Sequence, residues 1–402
     1  MTDIVQRAWK LRVLRAYNFI SYGALAVYGT FFAVYLKSIG MSAVEIGAIM
    51  AGGPIVSLVA NPLWAYWADR WRNNRIVIIL ALIGAFAAMQ LVFLSGNEPL
   101  IYGTMLLYFV FQSPLFTQTN SLILNAIEGT RHKFGAFRMW GSLGWAMTAA
   151  AAGPLIGYLG IGKLWIVFDA MMLLAIVFAF MLPRGDETKL ASTGKTSYAK
   201  VFLNRPFLLF LFTGVLVSVP NSINGTFVGL YIDELGGSET MIGWSTFAMA
   251  FLEAPIFLLL DKYMKKEIRP MVGWLILASV LYTLRWGLMG VADTALQVVG
   301  IQLLHCATFG VYYYVGTQLT SLIVPAEYRS SGQAVYGLTW GGVSGVIAGI
   351  FGGWMFENLG AHTMYRISAC ITLAGTIAFV GLLKIVSVRR LERGVEGNNM
   401  RA

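Results

Sequence analysis

The sequence predicts an all-α membrane protein with twelve transmembrane helices in two pseudo-symmetric six-helix bundles. Of its 402 residues, 57% are hydrophobic and 12% are charged, whereas soluble domains carry about 25% charged residues. Apolar runs of about 20 residues, long enough to cross a bilayer, recur along the chain. These runs lack the alternation of polar and apolar residues that is typical of barrel strands, so the spans are predicted to be helices.

The predicted spans are bounded by Gly, Pro, Asn and charged residues. The first six cover 16–36, 46–67, 76–95, 100–122, 134–158 and 164–182. The second six cover 207–232, 241–260, 271–291, 296–319, 333–356 and 365–386. The polar stretch 183–206 is expected to be a cytoplasmic linker, which divides the chain into bundles at 1–182 and 207–402.

The distribution of basic residues predicts the orientation. If the N-terminus is cytoplasmic, the outer loops hold Lys37, Lys163 and Arg366, and the spans hold Arg138 and Arg285. The other 24 of the 29 Lys and Arg residues then lie on the cytoplasmic side, as the positive-inside rule requires. We therefore expect both termini in the cytoplasm and the protein in the inner (plasma) membrane. The net charge of +10 reflects this topology and contact with anionic lipid, and no nucleic-acid partner is expected.

An internal repeat with an offset of 196 residues supports the division into two bundles. The matching residues are Tyr35, Gly40, Ser42, Ile46 and Gly47 in the first half and Tyr231, Gly236, Ser238, Ile242 and Gly243 in the second. After the next span, Asp69-Arg70 is echoed by Asp261-Lys262. Parallel six-helix repeats are typical of one transporter architecture, whose binding site lies between the halves near the middle of the membrane.

The segment after the second span carries a family signature. Residues 62–70 (PLWAYWADR) resemble the loop 2–3 signature of the major facilitator superfamily, G-x-x-x-D-R-x-G-R-R, although its glycines are Ala65 and Arg72 here. The resemblance implies the major facilitator fold. It also implies that Asp69, Arg70 and their second-half echo stabilise one of two access states. An ordinary charge cluster beside the membrane is the alternative interpretation.

Three ionisable residues fall in the middle of second-half spans. Glu253, His305 and Arg285 lie roughly 18, 15 and 10 Å from the predicted outer ends of their spans. Because a charge at this depth costs at least about 2.5–3.5 kcal/mol, each residue is a candidate functional group. A carboxylate that gains or loses an arginine partner suits proton transport, since that partner changes its affinity for a proton. The alternative is a permanent Glu–Arg pair that holds the eighth and ninth spans together.

These residues resemble the positions that carry proton coupling in lactose permease. The second carboxylate of that permease is replaced by Thr308 here, and nucleoside–proton symporters use a glutamate in this part of the eighth span for substrate. Glu253 is therefore expected to bind the proton, the solute or both. Asn221 and Asn224, one turn apart, stand where lactose permease has two aspartates. They are predicted either to bind solute as neutral groups or to hydrogen-bond between helices.

The most specific local match is in the fifth span. Residues 134–145 (FGAFRMWGSLGW) resemble the F-G-x-x-R-M-F-G-x-x-G-W segment of lactose permease and the R-x-W-G-x-x-G-F of nucleoside symporters. The resemblance implies a bidentate contact from Arg138 to solute and stacking on Trp145. Asn120 falls where lactose permease places a carboxylate, and Tyr28 matches a cavity tyrosine. The alternatives are an Arg138 that extends to the cytoplasmic interface and a Tyr28 that packs in the interior.

Together these features predict a secondary active transporter. The expected activity is proton-coupled symport of a saccharide, nucleoside or aromatic acid by alternating access, with protons, solute and membrane lipid as partners of a monomer. No cofactor or metal is expected, and no enzyme motif such as His-Glu-x-x-His or a Walker loop is present. Residues 153–157 (GPLIG) resemble part of the drug–proton antiporter motif, so proton-coupled efflux of drugs, sugars or lipids is the alternative.

Overall fold

The computed structural model describes residues 2–128, 130, 132, 134–183, 204–251, 253–265, 267–325 and 328–399, and the regular structure in these ranges is helical. The first half contains α1 Thr2–Ser38, α2 Ala43–Trp71, α3 Asn74–Leu94, α4 Glu98–Gln112, α5 Pro114–Ile127, α6 Phe134–Leu159 and α7 Leu164–Met181. The second half contains α8 Arg205–Glu234, α9 Glu239–Phe251, α10 Glu253–Tyr263, α11 Ile268–Met289, α12 Ala295–Ile301, α13 Val311–Ile323, α14 Arg329–Gly337 and α15 Ser344–Asn399. Most of the predicted linker, 184–203, lies outside the described residues.

Nine helical segments in the described ranges are long and apolar enough to cross a membrane. The predicted fifth span coincides with α6, in which Gly, Ser and Trp residues dilute the hydropathy. The predicted eighth span contains α9 and α10, on either side of residue 252, which lies outside the described ranges. The last two predicted spans form one segment, Ser331–Lys384, which is interrupted at Gly360 by a φ of 78°. The predicted helical membrane fold is thus confirmed, and the number of twelve crossings stays a prediction.

Several predicted spans contain local breaks that the hydrophobic pattern did not reveal. Pro114 begins α5. Proline suits the first position of a helix, because an N–H at that position has no partner within the helix and its absence costs nothing. A 3₁₀ turn at Gln302–Leu304 and a π turn at Cys306–Gly310 join α12 to α13. A second π turn, Leu338–Val343, joins α14 to α15. A π turn widens a helix locally and is frequent at functional sites, whereas a 3₁₀ turn tightens it.

The sequence repeat is also a repeat of backbone conformation. Gly40 and Gly236, 196 residues apart, end the turns after α1 and α8 with φ of 100° and 72°. Glycine adopts this left-handed region without the penalty that a Cβ brings. We call the end of the bundle that carries these two turns the Gly40 face, and the sequence predicts that it is the outer face.

Polar contacts join the two halves of the chain at the Gly40 face. Lys37 Nζ lies 2.8 Å from Asp233 Oδ2, and the two residues occupy equivalent positions of the 196-residue repeat. Val44 N donates to Glu357 Oε2 at 2.8 Å. Because Val44 is in the first turn of α2, the carboxylate also meets the positive end of the helix dipole.

Small residues let the helix backbones of the two halves meet at the same face. A Cβ on Gly47 of α2 would overlap the carbonyl of Gly349 in α15, and one on Gly243 of α9 would overlap the carbonyl of Ala149 in α6. Gly153 of α6 lies against the start of α9, so helix packing requires a small residue at the start of the antiporter-like segment. Gly153 and Gly349 are themselves 196 residues apart. The two halves are therefore closed against each other by equivalent contacts.

We predict that Gly47→Val opens the Gly40 face. The added side chain has no room against Gly349, and overpacking of this kind costs about 1–3 kcal/mol in the closed arrangement. In a variant without the native cysteines, maleimide labelling of Thr240→Cys at the start of α9 should increase several-fold when Gly47→Val is added. Gly103→Val is the matched control, since a Cβ on Gly103 meets open space. Equal labelling in the two glycine variants would contradict closure by this contact.

Candidate functional site

The structure brings together the three ionisable residues predicted from the second half. Glu253 lies in α10, Arg285 lies near the end of α11, and His305 lies between the 3₁₀ turn and the π turn that follow α12. His305 Nε2 is 3.2 Å from Glu253 Oε1, and His305 Nδ1 is 3.0 Å from Arg285 Nη1. The imidazole therefore bridges the carboxylate and the guanidinium.

The chemistry of arginine determines the tautomer of His305. A guanidinium only donates hydrogen bonds, so Nδ1 of His305 must accept from Arg285 Nη1 and carries no proton. In the neutral ring the proton is then on Nε2, which faces Glu253 Oε1. A second proton on His305 would place an N–H against the guanidinium and break the bridge.

Arg285 is fully buried and is held mainly by neutral acceptors. Its Nη1 also donates to Thr308 Oγ1 at 3.2 Å, and its Nη2 donates to Gln302 Oε1. Among the described residues, no carboxylate lies within ion-pair distance of Arg285. Its charge is balanced through His305 by Glu253, so this group of side chains is neutral as a whole when Glu253 is ionised.

The same hydrogen bonds continue to the asparagines of α8. Asn224 Nδ2 donates to Gln302 Oε1 at 3.3 Å, and Tyr365 OH donates to Asn224 Oδ1 at 3.0 Å. Asn221 Oδ1 accepts from Tyr282 OH at 3.0 Å. Asn224 is 1% exposed whereas Asn221 is half-buried, so the two predicted binding residues have different environments.

The first-half residues form a second group on α6. Arg138 is exposed and its guanidinium lies 4.6 Å from the centre of the Tyr22 ring. Trp145, seven residues or about two turns later on the same helix face, packs against α1 where Gly29 has no side chain. The structure thus places Arg138 and Trp145 along one face of α6, beside α1.

Tyr28 and Asn120 lie in the first half with different partners. The Tyr28 ring is 4.9 Å from the Tyr108 ring and 5.0 Å from the Phe32 ring, and its hydroxyl is 3.5 Å from Met50 Sδ. These contacts match the interior packing alternative. Asn120 Oδ1 is buried and has no hydrogen-bond partner among the described residues.

The conformational motif lies at the end of α2. Asp69 and Arg70 are exposed, and Arg72, at the position of a signature glycine, ends the helix with a φ of 50°. Its N–H bonds the carbonyls of Ala68 and Asp69, which closes the last turn. In the second-half echo, the Lys262 ammonium lies 5.0 Å from the Tyr263 ring centre. The side chain of Asp261 lies outside the described part of the structure.

Several residues of the site were not predicted from the sequence. The most central is Gln302, a fully buried amide within an apolar span. Tyr365 donates to Asn224 in the same set of hydrogen bonds, and Tyr282 donates to Asn221. Aromatic rings also continue from His305, whose ring is 4.9 Å from Phe309, itself 5.4 Å from Tyr313. Gln302 could have been found from the sequence as a polar amide within a predicted membrane span. The series of rings could have been found from the spacing of four residues between His305, Phe309 and Tyr313.

We predict that His305→Leu destabilises the protein more than His362→Leu. Loss of the bridge leaves Glu253 and Arg285 each without one buried partner, at about 1–3 kcal/mol per group. Among the described residues His362 makes one hydrogen bond, a neutral one between Nε2 and the Ala292 carbonyl at 3.0 Å, whose loss costs about 0.5–1.5 kcal/mol. Thermal unfolding of the two purified variants measures the difference. An equal or smaller decrease for His305→Leu would contradict the bridging role.

Comparison with known proteins gives one family and relatives that span most of the chain. The model of the MFS_1-like family matches residues 11–367. The maltose permease of Geobacillus stearothermophilus is 28% identical over 91% of this chain and 92% of its own. The probable 3-phenylpropionic acid transporter of Escherichia coli is 26% identical over 88% of this chain and 92% of its own. The crystal structure of the nucleoside transporter NupG matches with a TM-score of 0.78 at 17% identity, over 94% of this chain and 99% of that one, which shows the fold.

Proposed function

Because the chain belongs to the MFS_1-like family, a family of membrane transporters of small solutes, we propose that it is a proton-coupled symporter working by alternating access. We place it in the plasma membrane as a monomer with twelve crossings and cytoplasmic termini. Residues 1–182 and 207–402 are then the two bundles, joined by the linker at 183–206. The single observation that supports proton coupling best is the Glu253–His305–Arg285 bridge.

The bridge gives protonation a structural consequence. With Glu253 ionised, the buried charges of Glu253 and Arg285 balance through His305. A proton on Glu253 leaves the positive charge of Arg285 uncompensated in a low-dielectric site, which is costly. The protonated state is therefore favoured when Arg285 finds another acceptor, either on the solute or in a different arrangement of the helices. A ligand that stabilises one state in this way is coupled to the proton.

We infer that a cavity between the halves gives access to the bridge. The side chains of Glu253 and His305 are 16% and 12% exposed at mid-span, and contact of such groups with lipid is unfavourable. Because the halves are closed at the Gly40 face, the cavity would open at the opposite, cytoplasmic end. Opening to the outside then requires the Lys37–Asp233 pair to separate. At the same time Asp69 and Arg70 would approach their second-half echo, Asp261-Lys262, and close the cytoplasmic end.

A saccharide is the solute class that we propose first. Arg138 supplies two parallel donors for hydroxyls, Trp145 supplies a flat apolar face, and Asn120 and Asn221 supply neutral amides. The relative that is 28% identical is a maltose permease. An aromatic acid is the second candidate, because Arg138 also suits a carboxylate and another relative is a probable 3-phenylpropionic acid transporter. Tyr28 of α1 and Asn224 of α8 are the remaining candidate binding residues.

We predict that Glu253→Gln abolishes accumulation driven by a pH gradient and preserves exchange. The amide keeps the size of the side chain and a hydrogen bond to His305 but cannot bind and release a proton. Radiolabelled maltose uptake into proteoliposomes, acid outside, measures accumulation. Counterflow at equal pH on both sides measures exchange.

Asp169→Asn is the matched control for this experiment. It removes the other carboxylate within the predicted spans, which accepts from Gln90 Nε2 at 2.6 Å between α3 and α7. Accumulation in this variant should equal that of the wild type. Wild-type accumulation in Glu253→Gln would remove Glu253 from the coupling mechanism.

We predict that Arg138→Ala weakens maltose binding and that Arg138→Lys restores little of it. A lysine keeps the charge and loses the two parallel donors of the guanidinium, and hydrogen bonds to a charged group contribute about 1.5–3 kcal/mol. The affinity should thus fall by at least about tenfold in both variants, measured by isothermal titration of purified protein. Unchanged affinity in Arg138→Ala would exclude this residue from the binding site.

A further inference from the structure

The carboxamide of Gln302 lies between the solute-binding and proton-binding groups. It is fully buried in the 3₁₀ turn after α12. Its Oε1 accepts from Arg285 Nη2 on one side and from Asn224 Nδ2, at 3.3 Å, on the other. Its Nε2 donates to the Val298 carbonyl at 3.3 Å in the preceding turn. One oxygen atom therefore joins α11, which carries the proton-site arginine, to α8, which carries the asparagines.

The directions of these hydrogen bonds follow from Arg285. Because a guanidinium cannot accept, Gln302 must present its oxygen to Arg285. Asn224, which meets the same oxygen, must then present its Nδ2, and its Oδ1 remains for Tyr365 OH. On the other side, Arg285 donates to His305, and His305 donates to Glu253. In each hydrogen bond of the series that runs from Tyr365 through Gln302 to Glu253, the donor and the acceptor are therefore fixed.

We propose that Gln302 is the positioning residue through which movement of α8 on solute binding changes protonation of Glu253. This inference rests on the proposed proton-coupled function. The oxygen of Gln302 has two lone pairs, and both are in use. When Asn221 binds solute and α8 shifts, Asn224 leaves Gln302, whose oxygen then holds Arg285 alone. The lone pair that Asn224 vacates accepts a second N–H from Arg285, which turns the guanidinium away from His305. Glu253 then loses its positive neighbour and takes up a proton.

The coupling is reciprocal. Protonation of Glu253 removes the negative charge that attracts Arg285 through His305, so Arg285 turns a second N–H to the Gln302 oxygen and displaces Asn224. Without its hydrogen bond to Gln302, Asn224 no longer holds α8 in place, and α8 can adopt the arrangement that binds solute. Binding of each ligand therefore favours binding of the other, as symport requires.

The test compares Gln302→Met with the wild type in two transport assays. Methionine has a similar length and volume, so it keeps the packing and removes the oxygen acceptor. Maltose-driven proton uptake, recorded with a pH electrode in lightly buffered proteoliposomes, is divided by radiolabelled maltose uptake under the same conditions. This ratio should fall at least about fivefold in Gln302→Met, the low end of coupling between sites. Maltose counterflow at equal pH should continue.

A double-mutant cycle separates coupling from support of the fold. Asn224→Leu alone should lower the ratio as Gln302→Met does, and the double variant should be no lower than either, because both remove one link. Gln333→Leu is the control. It removes an amide that donates to the Thr317 carbonyl at 2.7 Å in the same half but outside these bonds, and it should keep the wild-type ratio.

Two results would overturn the inference. One is a wild-type ratio in Gln302→Met, and the other is a parallel loss of counterflow and proton uptake, which indicates a structural role alone. Maltose counterflow in the wild type tests the proposed function, whereas the ratio between variant and wild type tests Gln302. The two failures are therefore distinguished within one set of vesicles.

Discussion

A fully buried arginine is the constraint on which the site depends. Arg285 carries five N–H donors and a charge into a helical bundle, and each donor left unpaired there is costly. The surrounding spans supply the oxygen of Gln302, the hydroxyl of Thr308 and the ring nitrogen of His305. Of these three groups, His305 is the one that also contacts a carboxylate among the described residues, that of Glu253. The proton state of one carboxylate therefore determines whether the buried charge is balanced.

A second constraint is the repeat that forms the two halves. Residues at equivalent positions meet across the pseudo-two-fold axis, where identical charges would repel. Lys37 and Asp233 occupy such positions with opposite charges, so the two side chains attract each other and form an ion pair. The glycines of α2 and α9 pack against equivalent helices in the opposite half. At the Gly40 face the backbone contacts of the two halves are therefore equivalent, whereas the charged side chains at equivalent positions differ in sign.

Hydrophobic pattern and charge predict the helical membrane fold, because the bilayer permits few alternatives. The cost of a charge within the membrane also predicts which second-half residues are candidate functional groups. The structure brings these residues, Glu253, Arg285 and His305, together. The bridging order, with His305 in the middle, depends on the 3₁₀ and π turns around it, which no periodicity in an apolar run reveals. Gln302 was missed for a related reason: a single amide in a span has no partner until three helices are assembled.

The most direct measurement is the direction in which an imposed pH gradient moves maltose in vesicles that contain the wild-type protein alone. Symport through the Glu253–His305–Arg285 bridge predicts accumulation above equilibrium when the outside is acidic, and loss of that accumulation when a protonophore collapses the gradient. Maltose movement that is independent of the gradient, or movement against the direction of proton flow as in efflux by antiport, would contradict it.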